Sequence, residues 1–176
     1  ARQIISRRQQ VEKLFFLFRR LLFATHRNPR LSQVIGVETG FPLIGHRALV
    51  PDVLMMADAA CSMGEIVRDH EGDPPDEETA ERLLALGSEL DDAVDRTRSA
   101  IVDPTYETTE VARDAFDPVE ARIEEFNGYL ADERPEPLLV LQRLVDRLER
   151  SAGHGRNTLA VATNLALRTD SELVSK

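Results

Sequence analysis

Residues 143–157 read RLVDRLERSAGHGRN. Leu144, Val145 and Leu148 recur at helical spacing, with Leu138 and Leu141 before them and Ala152, Leu159 and Leu165 after. One long helix is therefore expected over about 137–168, with that stripe facing a core. The polar side of the same stretch has its own pattern: Glu149, Gly153 and Asn157 are four residues apart and share one face. Glutamate and asparagine are oxygen ligands for a hard cation and glycine is not. The face has the outline of a ligand edge whose middle position carries no side chain.

Outward from this helix the same period recurs and no strand alternation is visible. A first helix is expected over about 2–26, through Ile4, Val11, Leu14, Phe15, Phe18, Leu21 and Leu22. The segment 26–40 is broken by Pro29, Gly36 and Gly40, with room for one helical turn around Leu31–Ile35. A second long helix over about 41–70 has Pro42 in its first turn and a kink at Pro51, with Leu43, Leu49, Leu54, Ala57, Cys61 and Ile66 on its face. After the turn EGDPPDEET (71–79), Asp76 is placed to cap a third helix over about 77–102, through Leu83, Leu84, Leu90, Val94 and Ile101. A fourth covers about 106–132, with a break at Asp117-Pro118, and ERPEP (133–137) leads into the last. The tail TDSELVSK is expected to fray.

Composition agrees with an all-α chain. The 176 residues suffice for one sizeable core, 42% are apolar, and there is no Trp. The net charge of −9 is unevenly spread. Residues 1–30 hold eight bases and one acid, Glu12, whereas residues 65–136 hold 23 acids and seven bases. Only two of the 22 basic residues are Lys. Surplus carboxylate with Arg in place of Lys suits a salt-saturated, halophilic cytoplasm, where repulsion is screened within ~3 Å at molar salt. The single cysteine, Cys61, forms no disulfide within the chain and reads as a small apolar side chain in a reducing compartment. LFFLFRRLLF (14–23) is interrupted by Arg19 and Arg20, so no apolar run reaches the roughly 18 residues of a membrane span. The chain begins at Ala1 inside a basic helical pattern, so residues are expected to precede it.

Side by side, the helices repeat. FPLI (41–44) echoes EPLL (136–139) at an offset of 95, which sets Ala57 on Ala152 and Leu54 on Glu149. QVEKLFFLF (10–18) echoes PVEARIEEF (118–126) at an offset of 108, which pairs Val11 with Val119, Glu12 with Glu120, Phe15 with Ile123 and Phe18 with Phe126. The paired apolar residues are expected to occupy equivalent core positions. Residues 1–72 then form a partial first repeat lacking its opening helix, 73–170 a full second repeat, and 171–176 a tail.

LERSAGHGRN (148–157) resembles the signature of the PhoU family on the last helix of each repeat: Leu-Glu-Arg, two small or apolar residues, then Asp-His-Ala and an Asn. FDPVEARIEEF (116–126) resembles the family's middle helix, and the two-copy layout of long helices matches as well. The resemblance implies a tandem three-helix bundle, here with copy one short of a helix, and a cytoplasmic regulator of phosphate uptake and its signalling. The family binds metal clusters through Glu-x-x-x-Asp on that last helix. Here copy two supplies Glu149 and Gly153, and copy one supplies Leu54 and Asp58. Each copy keeps half a motif. Asp58, Glu149 and Asn157, with Glu12 and Glu120, remain as possible ligands, but the carboxylate pairs are broken. No metal cluster and no other cofactor is expected; the fallback is a single ion at Glu12 with Asp58, or at Glu120 with Glu149.

Without the resemblance, Glu149 beside Arg147 and Arg150 is an ordinary helix-surface charge. His154 has no second His or Cys at ligand spacing and reads as a packed or solvated residue, and Met55, Met56 and Met63 read as core fillers. The basic first helix suits nucleic acid, an anionic surface or a domain junction. With no Gly-rich phosphate loop and no Ser-His-Asp or Cys-His motif, the expectation is a non-enzymatic, PhoU-like regulatory module. It would act through protein partners of phosphate transport or transcription and associate as a homodimer. Two alternatives stand beside it. One is the helical dimerisation or sensor part of a transcriptional regulator whose AbrB-like DNA reader lies upstream, as in salt-loving archaea. The other is a metal-dependent carboxylate protein.

Overall fold

The computed structural model describes residues 2–36 and 41–174. Seven helices follow in chain order: α1 Arg2–Arg27, α2 Pro29–Ile35, α3 Phe41–Asp69, α4 Glu77–Val102, α5 Tyr106–Asp114, α6 Phe116–Asp132 and α7 Leu138–Val174. No strand occurs among the described residues, and no helix is long and apolar enough to cross a membrane. Gly40, expected to break the chain ahead of α3, lies outside the described residues, as do Ala1 and the last two residues of the tail.

The helix ends follow local chemistry. Asn28 caps α2 by accepting from the Arg30 N–H, and Gly36, at φ 71°, closes it in the left-handed conformation that glycine adopts without penalty. The Asp76 carboxylate accepts from the Thr79 N–H at 2.8 Å and caps α4, as its position suggested. Thr105 and Thr108 cap α5 reciprocally. The expected break at Asp117-Pro118 falls two residues earlier, at Ala115, and Pro118 becomes the third residue of α6. First-turn N–H groups have no intrahelical partner, so proline is tolerated there and marks the start only to within a turn. α7 runs to Val174, beyond the end expected at 168. Pro51 lies inside α3, which continues on either side of it.

α3 packs along α7 more extensively than any other pair among the described residues. α4 lies against both α6 and α7, and α5 closes that group. α1 packs on α3 alone among the long helices. The larger core sits in the second group: Leu86, Leu90, Ala93, Phe116, Val119, Ile123, Phe126, Leu141, Val145 and Leu148 are all buried there. The inner side of α4 is built from Thr79, Leu86, Leu90, Ala93, Thr97 and Ala100, so small residues carry four of its six positions. The stripe read from large side chains is off by part of a turn: Leu84 is exposed, and Leu83, Val94 and Ile101 are half-buried.

The expected equivalence of the paired repeat positions does not hold. Val119, Ile123 and Phe126 are buried, whereas Val11, Phe15 and Phe18 are half-buried, and Ile4 and Leu14 on the same helix are exposed. The reason is coverage. α4 lies over α6 and α7, but among the described residues no helix bridges α1 and α3 from that side. Between α1 and α3 the buried cluster is small, Leu22 and Leu43 with Phe18, Ile35 and Val50 against them.

Candidate functional site

α3 is mainly apolar, yet Asp52, Asp58, Ser62 and Glu65 form a polar edge along it. The last three follow helical spacing, so one side of α3 brings them to a common seam. Across that seam runs the motif stretch of α7. Its core side is fixed by Val145, Leu148 and Ala152, which leaves Arg147, Arg150, His154 and Asn157 to meet α3 and solvent.

Two polar groups result. In the first, His154 Nδ1 lies 2.8 Å from Asp52 Oδ1, and Asn157 Nδ2 donates to the same oxygen at 3.3 Å. In the second, the Arg8 guanidinium of α1 is ringed by carboxylates: Asp58 at 3.1 Å, Glu12 at 3.4 Å and Glu65 at 3.8 Å. Beside them Arg147 donates to Ser62 Oγ at 3.1 Å, and Asp146 accepts from both Arg147 and Arg150. A cavity of about 270 Å³ lies between these groups, lined among others by Arg8, Asp58, Glu65, Arg147, Arg150 and His154. Its lining charges are paired: Arg8 with Asp58 and Glu65, and Arg147 and Arg150 with Asp146.

The five candidate ligands are thus dispersed. Glu12 and Asp58 meet, but on Arg8. Glu120 pairs with Arg156, whose guanidinium also lies over the Phe116 ring at 5.7 Å. Glu149 is exposed and makes no ion pair or hydrogen bond among the described residues. Asn157 is engaged by Asp52. A carboxylate metal cluster needs several anionic oxygens converging on one point. Here a guanidinium holds the point where Glu12, Asp58 and Glu65 converge, so these residues do not fit the family's metal cluster. Among the described residues no group of three His, Cys, Asp or Glu side chains could hold an ion.

Cys61 borders the seam. It is buried, with its Sγ 3.7 Å from the Ile4 carbonyl. Burial pushes its thiol pKa up; Arg8 works against this, and Asp58, Glu65 and Glu12 add to the rise. A protonated thiol in an apolar wall is a packing group and not a nucleophile.

Sequence reasoning did not single out Asp52, Ser62, Glu65 or the role of Arg8. The spacing of Asp58, Ser62 and Glu65 on an apolar helix was the available signal, because a polar edge on a helix packed along much of its length marks a seam. His154, read as a histidine without ligand partners, is held by Asp52.

Compared with family models, with curated proteins and with solved structures, the chain matches none.

Proposed function

We propose that this chain is a non-enzymatic regulatory module that works by binding protein partners through its helix surfaces. The observation that carries this reading is the contrast between its two halves. On α6 the apolar stripe is closed, with Val119 at 0% and Phe126 at 2% exposure. On α1, Leu14 at 57%, Phe16 at 56% and Leu17 at 54% stand in solvent, joined by Ile4 and Phe23 and by Ile44 and Val53 of α3. Single exposed apolar residues are common; this many on one helix and its neighbour mark an interaction surface. The polar seam between α3 and α7 supports the same reading, since its charges are spent on one another and hold two helices in register.

The resemblance of residues 148–157 to the PhoU family gives the direction, phosphate-responsive control in the cytoplasm. The test is a pull-down at high salt from the cells that make the protein, under phosphate plenty and phosphate starvation. Partners from phosphate transport or transcription that change between the two conditions are expected. An identical set of unrelated partners under both conditions overturns the phosphate part.

A further inference from the structure

We propose that the groove between α1 and α3 is the receptor for a single amphipathic helix of a partner protein, one whose apolar stripe is flanked by Asp and Glu. The proposal rests on the reading of the chain as a partner-binding module and names the chemistry of that partner.

The groove encloses about 570 Å³, enough for several side chains. Phe15 and Leu22 of α1 and Leu43 and Val50 of α3 make its floor, which is continuous with the small core of this half. Its polar lining residues are two arginines, Arg19 and Arg47, and no carboxylate lines it among the described residues. Both guanidiniums lie against the Phe23 ring, Arg19 at 5.7 Å and Arg47 at 5.2 Å from its centroid. Neither has a carboxylate partner among the described residues. Ten other arginines among the described residues show the alternative: each pairs with a carboxylate, as Arg8, Arg82, Arg122 and Arg156 do. An apolar floor under two unpaired cations fits an apolar ligand that carries negative charge at its edges.

The second half of the molecule shows how such a helix is held. α4 lies across α6 and α7, and its apolar residues Leu86 and Leu90 are buried among them. At its edge Glu89 takes Arg122 of α6, with Arg122 Nε at 2.7 Å and Nη2 at 2.6 Å from one carboxylate oxygen. Apolar stripe inward and carboxylate onto a basic rim is the pattern that α1 and α3 leave without a covering helix among the described residues. A second copy of this chain is disfavoured as the occupant, because two-fold packing of the groove on itself would set Arg19 and Arg47 against their own copies. Nucleic acid supplies the negative charge but no apolar stripe for Phe15, Leu22, Leu43 and Val50.

The probe is a displayed library of amphipathic helices with a constant apolar stripe and randomised flanks, selected against the full chain at moderate salt. Enrichment of Asp and Glu on the flanks is expected. A peptide so selected should bind by fluorescence polarisation, should lose roughly tenfold in affinity to the Arg19→Glu/Arg47→Glu variant, and should lose affinity to Ile44→Glu at the groove wall. A peptide with Lys flanks should show the reverse preference between wild type and the double variant. Circular dichroism of the variants checks that the exposed substitutions leave the helices intact. Enrichment without acidic bias, no enrichment, or equal binding to wild type and double variant overturns the proposal. So does a homodimer that Ile44→Glu dissociates, or duplex DNA that competes with the peptide. If the double variant still captures phosphate-dependent partners from cells, the regulatory reading stands and this groove is not its site. If peptide binding behaves as expected but no partner depends on phosphate, the groove stands and the phosphate direction falls.

Discussion

His154 on α7 and Asp52 on α3 are joined by a 2.8 Å contact across 102 residues of sequence, and Asn157 reaches the same Asp52 oxygen one turn further on. One carboxylate therefore ties two successive turns of α7 to α3. Removing it strands two polar side chains at a partly buried interface. Asp52→Ala should cost about 1–3 kcal/mol, the range for orphaning a hydrogen-bonded partner. The change should be less than additive with His154→Ala, because both substitutions delete the same contact. Urea unfolding of the two single variants and the double variant measures this, and strict additivity would show that the contact contributes nothing.

The two glycines of the motif stretch should respond in opposite directions. A Cβ on Gly155 would stand 2.8 Å from Phe116 Cζ, and that ring is 1% exposed with the Arg156 guanidinium over it. A Cβ on Gly153 meets nothing within 4 Å. Gly155→Ala should destabilise by about 1–3 kcal/mol through overpacking. Gly153→Ala should stabilise by roughly 0.8–1 kcal/mol through helix propensity. Thermal melts of both decide the matter: stabilisation by both would mean that Phe116 yields easily.

Salt should act on two levels. The stretch 65–136 carries 23 acids against seven bases, and its repulsion reaches ~30 Å at 0.01 M ionic strength. The melting temperature should therefore rise from dilute buffer to concentrated potassium chloride. Arg8→Met should make this dependence steeper, because Glu12, Asp58 and Glu65 would then face one another without a cation. These groups are near half-exposed, so the loss at low salt should be only about 1 kcal/mol and should shrink as salt rises. A salt-independent melting temperature in wild type, or an Arg8→Met deficit that grows with salt, would count against this account.

Cys61 sets an alkaline limit. Its thiol pKa is raised in the folded state, chiefly by burial, so between the unfolded and folded values the native state holds the proton and the unfolded state has lost it. Stability contributed by the neutral thiol is full below the unfolded pKa and falls as pH rises past it. Wild type should lose stability above about pH 8.5 by a margin that Cys61→Ala does not share. Alkylation by iodoacetamide at pH 7.5 should be slow until denaturant is added. Rapid labelling of the native protein would refute burial of the thiol.

The sequence by itself determined the all-α class and most helix ends, since caps, proline and glycine act within one turn and need no distant partner. Asp76 and Gly36 were legible for that reason, the Asn28 cap was not singled out, and Ala115 was missed by two residues because proline is compatible with several first-turn positions. The stripe of α7 was legible because it is built from large side chains; the stripe of α4 was misplaced because Ala93, Thr97 and Ala100 carry little hydrophobic signal. Helical periodicity also showed that Val11, Phe15 and Phe18 share a face, but whether a face is buried depends on what lies over it. Only the tertiary structure decided that α4 covers α6 and α7 while, among the described residues, no helix covers the matching side of α1 and α3. It alone set the Arg8 guanidinium among Glu12, Asp58 and Glu65, where paired carboxylates would suggest a metal. Charge spacing along one helix carries no information about a cation arriving from another, because that meeting is fixed by the packing angle and register of α1 and α3.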